Sequence, residues 1–292
     1  MAVVVALDIG GTKLAAGVVD DRGQVLDRHQ VPTPEAGGEE IWWRLVELVD
    51  PFVQAAGHDG SAGIGVGCGG PMTPGGESVS PLNIPGWRGF PLRERMAARW
   101  GLPVWVDNDA KALAMAEGWV GAAAGVSDFM AMVVSTGVGG GIVLDGRLLD
   151  GAAGNAGHVG HVVVEPGGAT LPEHARGTLE AEASGTAIAR STGRPAAEAD
   201  RATVERVGRL VGRAAGSTCN LLDLGLVVVA GSVALGYGAP FFAAAQREMD
   251  QICVLDFSRG ASVVPAGLGA DGPLVGAAAV AWRNLGLDIG IA

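Results

Sequence analysis

Cysteine, charge and long apolar runs are all scarce in this 292-residue chain. Its three cysteines, Cys68, Cys219 and Cys253, are odd in number and widely separated, with no C-x-x-C pair. They read as small buried or idle thiols, which suits a reducing compartment. No run of about 20 apolar residues occurs, and the N-terminus lacks a basic stretch followed by an apolar signal core. The expectation is a cytoplasmic protein with no membrane association. Only 17% of residues are charged against 48% apolar, a balance that excludes a disordered chain. The charge present is acidic, −11 net, and leaves no footprint for nucleic acid or an anionic membrane. Any phosphate binding must therefore be local.

Glycine is abundant, and two placements of it matter. An apolar run at 2–6 leads into Leu7-Asp8-Ile9-Gly10-Gly11-Thr12-Lys13. A strand there enters a glycine turn carrying an acid, a hydroxyl and a lysine. The Gly10-Gly11 pair can take backbone angles closed to other residues and so form an anion-binding nest, with Thr12 as an extra donor, or it is merely a tight hairpin. Asp8 would face the same site and suit a magnesium ion through water. A second apolar strand at 129–134 runs into Ser135-Thr136-Gly137-Val138-Gly139-Gly140-Gly141 and returns at 142–145. Two such units about 128 residues apart suggest two related halves, each offering a phosphate loop. ATP is expected between them. Lys13 does not make a P-loop, because the G-x-x-x-x-G-K-[ST] spacing is absent.

Strands and helices alternate, which predicts an α/β fold. Strands are expected at 3–9, 13–20, 24–31, 63–67, 103–106 and 226–229. Helices are expected at 39–56, 91–100, 110–121, 202–222 and 273–284. The length exceeds the usual single core, so two lobes are the default. Their expected bounds are 1–109 for the N-terminal small lobe and 110–272 for the C-terminal large lobe.

The ordered set LDIGGTK, GCGGP (67–71), NIPGW (83–87), VDNDA (106–110), STGVGGGIVLDG (135–146), GHVGH (157–161) and AGS (230–232) resembles the ROK family of sugar kinases across nearly the whole chain. The resemblance implies a duplicated, two-lobed actin-like ATPase (ribonuclease H-like) fold whose final helix, about 273–292, packs back on the first lobe. It also implies transfer of phosphate from ATP, with Mg2+, to a sugar hydroxyl.

Phosphoryl transfer needs positioning, charge neutralisation and one base for the hydroxyl proton. The resemblance puts that base at Asp109 and a sugar contact at Asn108; Asp107 reads as a helix N-cap. Around the acceptor it places Gly70, Asn83, Asn108, Asp109, His158, His161 and Glu180. Asn and carboxylate side chains suit a polyol, since between them they donate and accept toward vicinal hydroxyls. On the nucleotide side it places Asp8, Gly10, Gly11, Thr12, Lys13, Thr136 and Gly137 near phosphates or Mg2+, with Gly231 and Ser232 on the adenosine side. Closure of the lobes would exclude water.

Two departures stand out. Many family members carry E-x-G-H where this chain has His158 in the glutamate position, replacing an acceptor-only carboxylate with an imidazole that can donate, accept or become cationic. The expectation is a changed acceptor or a changed orientation of it, the alternative being a swap of little consequence. The family's zinc cysteines are replaced by Leu171, Glu173 and Thr178, so no structural zinc is expected. A rebuilt metal site from His158, His161, Glu173 and His174 lacks any thiolate and is disfavoured; His174 reads as a solvated loop residue. The leading expectation is 6-phosphorylation of glucose or a glucose-like sugar, with an amino-hexose or a C7-cyclitol of natural-product biosynthesis as alternatives. A non-catalytic sugar sensor is the reading from another class, weakened by the retained Asp109 and by a phosphate strand that begins at Val3. Homodimers are frequent in the family, and no residue pattern here marks an interface.

Overall fold

The computed structural model describes residues 2–35, 37–56, 61–172 and 174–292. In chain order its main elements begin with β1 (Val3–Ile9), β2 (Lys13–Asp20), β3 (Val25–Pro32), α1 (Gly38–Ala56), β4 (Ser61–Cys68), α2 (Leu92–Trp100), β5 (Val104–Asn108) and α3 (Asp109–Val120). They continue with β6 (Phe129–Val134), β7 (Val138–Leu144), β8 (Arg147–Leu148), α4 (Leu179–Ala183), α5 (Gly185–Thr192) and α6 (Arg201–Leu222). The chain closes with β9 (Leu226–Ala230), α7 (Ser232–Tyr237), α8 (Ala239–Ile252), β10 (Ser262–Pro265) and α9 (Gly272–Asn284). Among the described residues, no helix is long and apolar enough to cross a membrane.

Two compact units result. The first joins Met1–Gly125, Gly146–Ala156 and Leu268–Ala292; the second joins Val126–Asp145 and Gly157–Gly267. These units follow different bounds from the contiguous 1–109 and 110–272 of the sequence reading. The reason is α3, which packs on β4, β5 and α9 instead of opening the second unit.

In the first unit the strand order is β3-β2-β1-β4-β5. β1 pairs antiparallel with β2 and parallel with β4, which pairs parallel with β5. β1 is buried along nearly its whole length, hence its unbroken apolar run. Helix α1 turns Ile41, Leu45, Val49, Phe52 and their neighbours inward, and Trp42, Trp87, Phe90 and Trp100 form an aromatic cluster in the same core. Helix α9 packs backbone to backbone: a Cβ on Gly65 would fall 2.0 Å from the Ala277 carbonyl, and one on Gly276 2.6 Å from that of Ala112. Small residues at those positions are what let α9 lie against β4 and α3.

In the second unit the strands run β10-β9-β6-β7, with β6-β7 antiparallel and β6-β9 and β9-β10 parallel. The antiparallel hairpin followed by parallel strands repeats the plan of the first unit. Gly139, Gly140 and Gly141, expected as part of a phosphate turn, belong to β7 and pair with Val133, Met132 and Ala131. Close packing explains Gly140, where a Cβ would meet the Val159 side chain at 2.9 Å. The turn itself is only Ser135–Gly137. Helices α6 and α8 cross closely through Gly212, whose added Cβ would lie 2.1 Å from the Ala245 carbonyl.

Candidate active site

Because β1, β4 and β5 are mutually parallel, their carboxyl ends share one edge of the first sheet. At that edge β1 yields Gly10-Gly11-Thr12, β4 yields Gly69-Gly70, and β5 yields Asn108-Asp109. Register carries this inward: Asp8 lies beside Gly67, and Gly67 beside Asp107. Carboxyl ends of parallel strands are where α/β sheets hold ligands.

The glycine turn differs from the expected nest. Neither Gly10 nor Gly11 takes left-handed backbone, and the Gly10 N–H is spent on the Lys13 carbonyl at 3.0 Å. Gly11 is small because a Cβ there would lie 2.5 Å from Asn83 Cβ. Its amide and that of Thr12 make no hydrogen bond among the described residues, while Thr33 braces the turn through Gly10 O and Thr12 O. Thr12 and Lys13 are exposed. The Gly10-Gly11-Thr12 turn thus abuts the turn carrying Asn83, an exposed residue whose loop is pinned by Arg88 on the carbonyls of Pro81, Ile84 and Trp87.

Asp8 is buried, and its carboxyl is pushed up to about 7, first by burial and then by the negative charge of Asp109, against the pull of Lys13. Asp109 opens α3, half-buried, with Oδ1 accepting from the Ala110 N–H at 2.8 Å. The helix cap is Asn108, which accepts from Ala110 and Lys111 N–H groups, and not Asp107 as the sequence suggested. Asp107 instead sits one residue too early and faces Lys111 Nζ at 3.3 Å. Burial raises its pKa, and Lys111 opposes that.

Lys111 was missed in the sequence. Its side chain is 2% exposed and its ammonium also meets Asp150 Oδ1 at 2.5 Å and the Gly154 carbonyl at 3.3 Å. The Asp107/Lys111 spacing of four was the available signal. Asn155 secures the same segment by exchanging two hydrogen bonds with the Met72 backbone.

In the second unit the 135–137 turn is held by two helix starts. Gly185 N–H donates to Ser135 O at 2.7 Å, Thr186 donates to Thr136 O, and Ser135 and Ser232 hydroxyls lie 3.0 Å apart. Gly231 has φ 101, and a Cβ there would fall 2.3 Å from the Val134 carbonyl. The structure therefore brings Thr136, Gly137, Gly231 and Ser232 together.

It also groups His158, His161 and Glu180. The rings of His158 and His161 are 5.9 Å apart edge to face. Burial pulls both below the ordinary imidazole value; for His158 the charge of His161 adds to this, and for His161 that of His174 does, against Glu180. Burial raises Glu180, against the Val138 N–H that its Oε2 accepts at 2.7 Å. His174, expected in solvent, has a side chain only 3% exposed, stacked on His161 at 4.2 Å and 3.1 Å from Glu180 Oε1. A neighbouring carboxylate and an aromatic face offset the cost of burying it. Glu173 lies outside the described residues. Among those described, no group of three or more His, Cys, Asp or Glu side chains could hold a metal ion.

The model of the ROK family matches residues 4–284. An N-acetylmannosamine kinase of Yersinia pseudotuberculosis is 35% identical over 248 residues, 80% of this chain and 84% of its own. The crystal structure of a ROK hexokinase from Thermus thermophilus superposes with TM-score 0.81 at 35% identity, covering 97% of this chain and 99% of that one. A ROK family glucokinase from Streptomyces griseus, solved with glucose and AMPPNP, gives TM-score 0.83 at 30% identity over 94% of this chain and 98% of its own.

Proposed function

This chain belongs to the ROK family and is a sugar kinase with the actin-like ATPase (ribonuclease H-like) fold, and on that premise we propose that it phosphorylates the 6-position hydroxyl of glucose or a glucose-like sugar with Asp109 as general base. The observation that carries this reading is the shared strand edge of the first unit. There the Gly11 turn, the Asn83 turn and the half-buried Asp109 carboxylate stand together at the ends of parallel strands. A carboxylate at a helix start can accept the hydroxyl proton as the new bond to phosphorus forms.

Asn108 spends its Oδ1 on capping α3, which fixes the side chain and leaves its amide N–H groups for a sugar oxygen. The free amides of Gly11 and Thr12, with the hydroxyl of Thr12 and the ammonium of Lys13, supply donors for phosphate oxygens. In the second unit Thr136, Gly137, Gly231 and Ser232 take nucleotide contacts, and His158, His161 and Glu180 take sugar hydroxyls. ROK sugar kinases use ATP, generally with Mg2+. Asp8 fits as its holder, because a carboxyl raised first by burial and then by the negative charge of Asp109 is one that a divalent cation would relieve. The ion would neutralise phosphate charge when bound.

A second reading, an N-acetylated amino-hexose as acceptor, is favoured by His158, which can donate where a glutamate only accepts, and by the N-acetylmannosamine kinase relative. The test is ATP- and Mg2+-dependent ADP release over glucose, mannose, N-acetylmannosamine, other amino-hexoses and cyclitols. Asp109→Asn should lower kcat on the best acceptor by on the order of 10²–10⁴-fold. Turnover that survives in Asp109→Asn would remove Asp109 from the base role.

A further inference from the structure

The second unit holds a buried imidazole that no nucleotide or sugar contact accounts for. Residues 162–172 and 174–178 fold back between His161 and Glu180. Val164 N–H donates to Gly177 O, Leu179 N–H to Val162 O, and Gly177 N–H to Ala169 O. Glu182 ties the far side, accepting from Ala169 N–H and pairing with Arg206. None of these bonds involves the His174 ring. These bonds give the loop a backbone frame of its own.

A role for the imidazole follows from what the ring touches. Its face stacks on His161, with centroids 4.2 Å apart and planes within 14°. Its Nε2 faces Glu180 Oε1 at 3.1 Å, and its Nδ1 lies 3.5 Å from the hydroxyl of buried Thr178. The other Glu180 oxygen is held by Val138 N–H. A carboxylate anchored at one oxygen can still swing about that bond, whereas one anchored at both has a fixed plane and presents its remaining lone pairs in set directions. One side chain thus orients two residues on which the proposed sugar reading rests.

We infer that His174 is a positioning residue for the acceptor, fixing the Glu180 carboxylate through Nε2 and the His161 ring through stacking. It acts on sugar binding through those two side chains and makes no demand on the nucleotide. The inference rests on Glu180 and His161 being sugar ligands.

Steady-state kinetics on the full chain with its best acceptor test this, using His174→Phe, which keeps a flat ring but loses Nε2, and His174→Gln, which keeps an N–H donor. His174→Phe should raise KM for the sugar about 10-fold with KM for ATP changed less than about twofold, and His174→Gln should recover most of the loss. In a Glu180→Gln background His174→Phe should add less than about twofold, because its effect runs through the carboxylate. An unchanged sugar KM in His174→Phe, full additivity with Glu180→Gln, or failure of both His174 variants to fold would overturn the inference. If Glu180→Gln itself leaves the sugar KM alone, Glu180 is no sugar ligand and the inference falls with that premise.

Discussion

Gly11 and Asn83 are in backbone contact distance: a methyl group on Gly11 would sit 2.5 Å from Asn83 Cβ and 2.8 Å from its carbonyl oxygen. The turn assigned to phosphate and the turn assigned to sugar are therefore mechanically one piece. Gly11→Ala should push them apart, costing roughly 1–3 kcal/mol of stability and raising KM for both substrates together. Denaturant unfolding and paired KM measurements check it; a change confined to one substrate would mean that the turns move independently.

Asp8 carries the pH dependence. With its carboxyl at about 7 in the folded protein and 3.8 ordinarily, the native state holds the extra proton between those values. Its stabilising contribution is complete below about pH 4 and is lost as pH rises through about 7. Asp8→Asn should accordingly gain on the parent in Tm by several degrees between pH 5 and 8 in the absence of nucleotide and divalent cation, while losing kinase activity. Thermal unfolding across that range decides the matter.

Lys111 is a buried cation between Asp107 and Asp150. Lys111→Met keeps the packing and removes the charge, so two carboxylates lose their partner. Since Asp150 is more than half exposed and can turn to water, the expected loss is about 1–3 kcal/mol, below that for a fully buried pair. It should appear as a lower urea midpoint with unchanged slope.

His158→Glu replaces a donor with an acceptor-only group. If His158 favours an N-acetylated acceptor, the ratio of kcat/KM for N-acetylmannosamine over glucose should fall about 10-fold in the variant. An unmoved ratio would detach His158 from specificity.

Much of this architecture was written plainly in the chain. Period-two and unbroken apolar runs located β1, β2, β6 and β9, and a helix after β5 followed from a strand ending in cap-forming residues, although the cap is Asn108 and not Asp107. What escaped was decided by packing between distant segments. Gly139–141 look like a turn because glycine is a poor strand former, yet they lie in β7, where Val159 and Gly157 press close on Gly140. Lys111 in an alanine-rich helix resembles a surface residue until Asp150, 39 positions later, arrives above it. The burial of His174 likewise depends on His161 and Glu180 closing around it.

Helix α9 completes the core of the first unit from the far end of the sequence, resting on β1, β4, β5 and α3. During synthesis those strands leave the ribosome more than 150 residues before the helix that covers them, whereas the second unit has all of its chain by Gly267. The unit made first must finish last, and until α9 emerges its apolar sheet face is the nascent chain's point of exposure to chaperones and to aggregation.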